Sequence, residues 1–221
     1  MPVRPAAVPA LLTCLLLAGC SSVQLGTSDP SSSGAPAPAT SPSGAAGGAH
    51  EIPVGAGPQK KYTVQQQPGA GQCHYRYEKG EPLEDSACTP GAISPAVTQA
   101  NLKTTICRKG GYTSGVRPSA YVTGKEKKLN AASYGFTGAM SDAEYDHLIS
   151  LQLGGDPNDP RNLWLEPADP GHKAGQGVNN RKDPVETKLH TAVCAGKVTL
   201  AQAQQAIVTD WTTALARLGL D

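Results

Sequence analysis

The strongest period in the chain lies near its C-terminal end, where Leu200, Ala203, Ile207, Trp211, Leu215 and Leu218 recur every three or four residues. That spacing gathers them on one helical face, and Thr199 with Gln202 supplies a capping-box start. A final amphipathic helix is predicted, with this stripe as core. Asp183-Pro184-Val185-Glu186 has the same capping pattern with Pro at the first helical position. It predicts a helix from about Pro184 to Ala195, closed by Gly196. Earlier, Ser94-Pro95 opens a helix through roughly Ile106, and a short one is predicted from Lys125 to Ser133, stopped by Gly135. Asp142–Leu153 is strand-like around Leu148, Ile149 and Leu151. Gly154-Gly155-Asp156-Pro157 reads as a turn, and Asn162–Leu165 as a second short apolar strand. Ala168–Asn179 has no period. The pattern predicts a small α+β domain, mostly helical.

The other end of the chain is different. Arg4 precedes an apolar run from Ala6 to Ala18, too short to span ~30 Å of hydrocarbon. It reads as a signal peptide, and Leu17-Ala18-Gly19-Cys20 resembles a bacterial lipobox. The resemblance implies cleavage before Cys20 and acylation of its thiol, which would anchor the chain at a membrane outside the cytoplasm. From Ser21 to Pro58, 28 of 38 residues are Ser, Gly, Pro or Ala, a composition that cannot bury enough apolar surface to offset its ordering entropy. Three regions are expected: a signal peptide at 1–19, a flexible stalk at 20–72 and a globular domain at 73–221.

Composition narrows the classes further. Of 221 residues, 38% are hydrophobic and 5% aromatic, too polar for a multi-span membrane protein, and the net charge of +1 excludes a polycationic coat. With Cys14 in the signal peptide and Cys20 the lipid candidate, Cys73, Cys88, Cys107 and Cys194 remain. An even number in an oxidising compartment favours two disulfides. Of three pairings, Cys73–Cys88 with Cys107–Cys194 is favoured: one closes a short local loop, the other ties the early domain to a late helix. A zinc site is the rival, though no Cys-x-x-Cys pair is present.

Charge is segregated despite the neutral total. Lys103–Lys128 holds seven basic residues and one acidic, and Asp142–Asp169 holds seven acidic and one basic. A basic track for phosphate beside an acidic, metal-holding patch is admissible on that pattern. The acidic segment carries Asp146-His147, a hard oxygen ligand beside a nitrogen base. In a regular strand these neighbours face opposite sides, so a shared ligand requires irregular backbone at the strand's end. Gly154-Gly155 begins seven residues after His147, Asn162-Leu163 begins seven after Gly155, and Asn179-Asn180-Arg181-Lys182-Asp183 leads into the predicted helix.

This run resembles the HNH, or ββα-metal, nuclease motif. The resemblance implies a ββα-metal finger in which Asp146 binds metal, His147 is the general base and Asn162 pins the loop between the strands. Asn180 is the leading third metal ligand, with His190, Asn179 and His172 as alternatives. Arg181 and Lys182 are placed against phosphate. A wider likeness, from Cys88 through Val116-Arg117-Pro118 and Leu200-Ala201-Gln202 to about Ala214, is to secreted or lipid-anchored bacterial proteins described as HNH-like. The expected activity is metal-dependent hydrolysis of DNA or RNA by a monomer, using one divalent ion: Mg²⁺ or Mn²⁺ first, Zn²⁺ next. Two rivals are a non-catalytic envelope module on a degenerate HNH scaffold and a hydrolase of another phosphoester.

Overall fold

In the computed structural model, which describes residues 51–176, 178 and 180–221, the C-terminal stripe is built on a broken helix. Helix α3 runs Leu200–Asp210 with its capping box of Thr199 and Gln202 in place. The chain then leaves helical geometry at Asp210, whose carboxylate accepts the Thr212 N–H at 2.9 Å and restarts the coil. A 3-10 turn, Trp211–Thr213, and helix α4, Ala214–Arg217, follow. The stripe stays continuous across the break: Ala203, Ile207, Trp211, Ala214 and Leu215 are all buried. They pack on Leu189 and Val193 of helix α2 (Lys182–Cys194) and on Ile149 and Leu153.

Two small antiparallel sheets complete a mixed α/β fold with four α-helices among the described residues. Strands β1 (Arg76–Glu78) and β2 (Glu81–Leu83) form one hairpin. Strands β3 (Ala143–His147) and β4 (Leu163–Pro167) form the other, in the register Ala143↔Pro167 to His147↔Leu163. Trp164 is fully buried beside Tyr134, Leu148 and Cys73. The favoured disulfides, Cys73–Cys88 and Cys107–Cys194, are both formed. Closing the 87-residue separation of the second contributes up to ~4–5 kcal/mol in the chain-entropy view.

Helix α1, Ala120–Ser133, starts five residues before the predicted one and buries Glu126 and Asn130 in its inward stripe. Asn130 is matched and Glu126 half matched, its Oε2 buried without a partner. Asn130 Oδ1 accepts the Leu165 N–H of β4 at 2.7 Å, and Glu126 Oε1 accepts the Gln65 N–H at 2.7 Å. The helix predicted over 95–106 is replaced by a 3-10 turn, Gln99–Thr104, because Asn101 leaves helical geometry (φ −112°, ψ 16°). Its side chain bonds the Thr98 N–H and the Ala96 carbonyl instead, the competition with helix that Asn commonly offers.

The expected boundary at Cys73 is too late. Residues 51–72 form a strap across the domain, with Val54 bridged to Ile93 and Ile93 to Gly155. Gly57 N–H donates to Asp156 Oδ2 at 2.6 Å, Tyr62 Oη to the Val116 carbonyl at 2.6 Å, and Ser133 Oγ to the Pro68 carbonyl at 2.6 Å. The strap is held by hydrogen bonds more than by apolar burial, which is why its composition reads as a stalk. The signal peptide, Cys20 and the stalk as far as residue 50 lie outside the described residues, as do Gly177 and Asn179. No helix among the described residues is long and apolar enough to cross a membrane.

Candidate active site

Asp146 and His147 occupy the end of β3, where the ladder gives way to an irregular connection. That end is fixed by Asn162. Its Oδ1 accepts the Ile149 N–H, and its Nδ2 donates to the carbonyls of Ile149 and Asp156, each at 3.0 Å. The connection is pressed flat against its own start: a Cβ on Gly155 would lie 1.7 Å from the Ile149 carbonyl oxygen, and Gly154 takes φ +74°. No residue with a side chain fits the first position, and the second favours glycine. The irregular backbone lets both neighbours border one cavity of about 260 Å³, lined also by Arg117, Glu144, Asp183 and Glu186.

His147 is buried, and its Nε2 lies 3.0 Å from the Pro157 carbonyl. A carbonyl only accepts, so Nε2 carries the proton and Nδ1 keeps its lone pair. Burial lowers the imidazole pKa against the opposing pull of the Asp146 charge and the Pro157 bond. The ring is neutral at neutral pH.

Lys182 departs from its expected role. The sequence places it against phosphate, yet its side chain is 1% exposed, so it cannot meet a substrate. Its Nζ donates to Asp146 Oδ2 at 2.5 Å, to the His147 carbonyl at 2.9 Å and to Glu186 Oε1. Burial alone would lower the ammonium pKa, but Asp146, Glu186 and Glu166 outweigh it and hold the value well above the ordinary one. Asp146 is correspondingly held below the usual carboxylate value, Lys182 overcoming the effect of burial. Burial pushes Glu186 up to about 7. Glu166, buried and with neither carboxyl oxygen hydrogen-bonded, is pushed well up by burial and by the Asp146 charge.

The remaining expected residues divide between this site and elsewhere. Asn180 reaches it: its Nδ2 lies 3.3 Å from Glu144 Oε2, while its Oδ1 accepts the Asp183 N–H in the first turn of α2 at 3.0 Å. Arg181 points outward and pairs with Glu81. His190 is not brought to Asp146, because its Nε2 bonds the Ile106 carbonyl at 2.9 Å, beside the Cys107–Cys194 disulfide. His172 sits 3.6 Å from Asp142. Asn179 lies outside the described residues.

Among the described residues, three ligand atoms of His, Cys, Asp or Glu converge within 4.8 Å only at Cys107, His190 and Cys194, where the two sulfurs are bonded to each other. The carboxylates around the 260 Å³ cavity are spread more widely. Their chemistry nevertheless fits a hard divalent ion, since every anionic donor is an oxygen. Burial and the Asp146 charge also raise Glu144 and Asp183 above their ordinary values, a strain that an added cation relieves.

Glu166 and Glu186 carry no site signal in the sequence, and Arg117 enters it only through the wider Val116-Arg117-Pro118 likeness. Arg117 borders the cavity and electrostatically opposes protonation of both His147 and Glu144. Glu166 arrives by strand register, directly opposite Glu144. Glu186 is visible in the sequence only as a capping residue, although its place four residues after Lys182 on one helix would have paired them. No family model, curated protein or solved structure matches this chain.

Proposed function

We propose that the chain is a metal-dependent phosphodiesterase of the HNH type, acting on nucleic acid outside the cell membrane and anchored through Cys20. The observation that carries this reading is the pairing of Asp146 with a neutral His147 on one cavity, the imidazole oriented by Pro157 so that Nδ1 is free to accept a proton. The β3–β4 hairpin followed by α2, with Asn162 clamping the connection, supports a ββα-metal arrangement. His147 Nδ1 takes a proton from a water aimed at phosphorus, and Arg117 offsets charge on the phosphate oxygens. Asp146, with Asn180 and Glu144 beside it, would hold a divalent ion. When bound, such an ion stabilises the crowded phosphate and the departing oxygen.

Plasmid DNA and RNA cleavage by the full chain with Mg²⁺ or Mn²⁺ tests this. His147→Ala is expected to lower the rate by ~10²–10⁴, and EDTA to abolish it. Because burial holds His147 below 6.5, kcat/KM should rise with pH only below that value and be flat above it. A His147→Ala chain that cleaves like the parent overturns the mechanism.

A second reading is favoured by one observation. The Lys182 ammonium already neutralises Asp146 and Glu186, as it would in a non-catalytic module on the same scaffold. Thermal unfolding with added Mn²⁺ separates the two, since an ion that binds only the folded chain must raise its midpoint. No rise favours the module.

A further inference from the structure

Beside the Asp146 cavity runs a larger groove, of about 690 Å³, between the strap and the N-terminal end of α1. Its lining carries four cations, Lys60, Lys61, Arg117 and Lys125, and neither Asp nor Glu. In a chain whose net charge is only +1, this is a local concentration of one sign. Two tyrosines stand among them. Tyr62 forms a wall, pinned through its hydroxyl to the Val116 carbonyl. Tyr121 is 70% exposed, an unusual position for a large ring, with the Lys125 ammonium 4.3 Å from its centre. The groove's walls are held by the fold, since the strap is bonded to Val116 on one side and to Glu126 of α1 on the other.

Arg117 connects this groove to the chemistry. It lines the groove, the 260 Å³ cavity and a further 380 Å³ cavity, and His147 borders the last two. A polyanion lying along Lys60, Lys61 and Lys125 would therefore reach Arg117 and present its next phosphate to His147.

We propose that the groove between the strap and α1 binds the single-stranded form of the nucleic acid substrate, its phosphates on Lys60, Lys61, Lys125 and Arg117 and a base stacked on Tyr121. This deepens the nuclease reading and rests on it. A single strand is selected because an exposed aromatic ring is of use only to an unpaired base, whose face is free. In a duplex those faces are covered by neighbouring pairs.

The test is fluorescence anisotropy of a short labelled DNA strand and of its duplex with the full chain, in EDTA so that nothing is cleaved. The strand should bind more tightly than the duplex. Tyr121→Ala should weaken strand binding roughly 5- to 150-fold, the equivalent of ~1–3 kcal/mol for a stacked base, and leave duplex binding unchanged. The double variant Lys60→Ala, Lys61→Ala should reduce the slope of log affinity against log salt by about 1.4, at ~0.7 per phosphate of a single strand. Equal affinity for strand and duplex, or no effect of Tyr121→Ala, overturns the proposal. So does binding of phosphatidylglycerol vesicles through the same lysines with no binding of the strand. Cleavage assays with added metal on the same preparations separate this from the parent reading. Strand binding without cleavage removes the nuclease and keeps the groove, and cleavage indifferent to Tyr121 and the lysines does the reverse.

Discussion

Lys182 shows how a single side chain can be misread from its neighbours. In the sequence it stands between Arg181 and Asp183 at a loop–helix junction, a place where lysines are ordinarily solvated. In the structure all three of its donors are used inside the protein, on Asp146, Glu186 and the His147 carbonyl. A buried ammonium carries a desolvation penalty of several kcal/mol that only such complete pairing offsets. Removing it leaves the buried Glu186 and the largely buried Asp146 as carboxylates without a counter-ion. Lys182→Met is therefore expected to destabilise the chain by ~3–5 kcal/mol, read as a lower urea midpoint. A variant as stable as the parent would show that the ammonium is not the site's counter-ion. Asp146, His147 and Asn162 were legible because their spacing is a local signal. Glu166 was not, nor was the pairing of Lys182 with Asp146, since these partners are distant in the chain and no spacing records them.

At the level of elements, α3 was legible from its cap and apolar period, whereas α2 begins at Lys182 without the predicted Asp183–Glu186 box, and α1 was only half visible. Its inward stripe contains Glu126 and Asn130, and a stripe that satisfies its polar groups on a distant strap carries no hydrophobic period. Glu126 also gives α1 a pH dependence. Burial pushes its carboxyl from 4.5 up to about 6, so the folded state holds that proton more tightly than the unfolded chain. The resulting stability is fully present below about pH 4.5 and is lost as pH rises through 6. Glu126→Gln keeps an oxygen for the Gln65 N–H and cannot ionise. It should stabilise the chain by on the order of 2 kcal/mol near pH 8, at ~1.4 kcal/mol per unit, and by nothing near pH 4. Thermal melts at the two pH values decide it, and equal melting of variant and parent near pH 8 would exclude the effect.

For the molecule as a whole, the strap changes where the domain starts. Gly, Pro and Gln dominate residues 51–72, and no apolar period marks them as folded. Their contacts are single hydrogen bonds to residues far along the chain: Asp156, Val116, Glu126, Ser133 and Asn158. Each such bond contributes ~0.5–1.5 kcal/mol net, and a buried acceptor left without its donor costs ~1–3 kcal/mol. A chain beginning at Cys73 should thus be less stable than one beginning at Glu51, by on the order of 3 kcal/mol. Calorimetry on the two lengths measures the difference, and coincident melting would return the strap to the stalk. The two-disulfide framework, by contrast, could be read from cysteine number and position because loop closure depends on position along the chain.

The Cys107–Cys194 bond has one more consequence. The loop it closes contains α1, both strands of the β3–β4 hairpin, nearly all of α2, and with them Asp146, His147, Asn162 and Lys182. Topologically the catalytic candidates sit on a ring rather than on a line. A single protease cut anywhere on that ring, including the irregular run between β4 and α2, opens it without producing a second molecule. Both new ends stay tethered to the same core. Under the proposed display outside the cell, where proteases are the ordinary hazard, the site would survive a nick that would sever a linear chain.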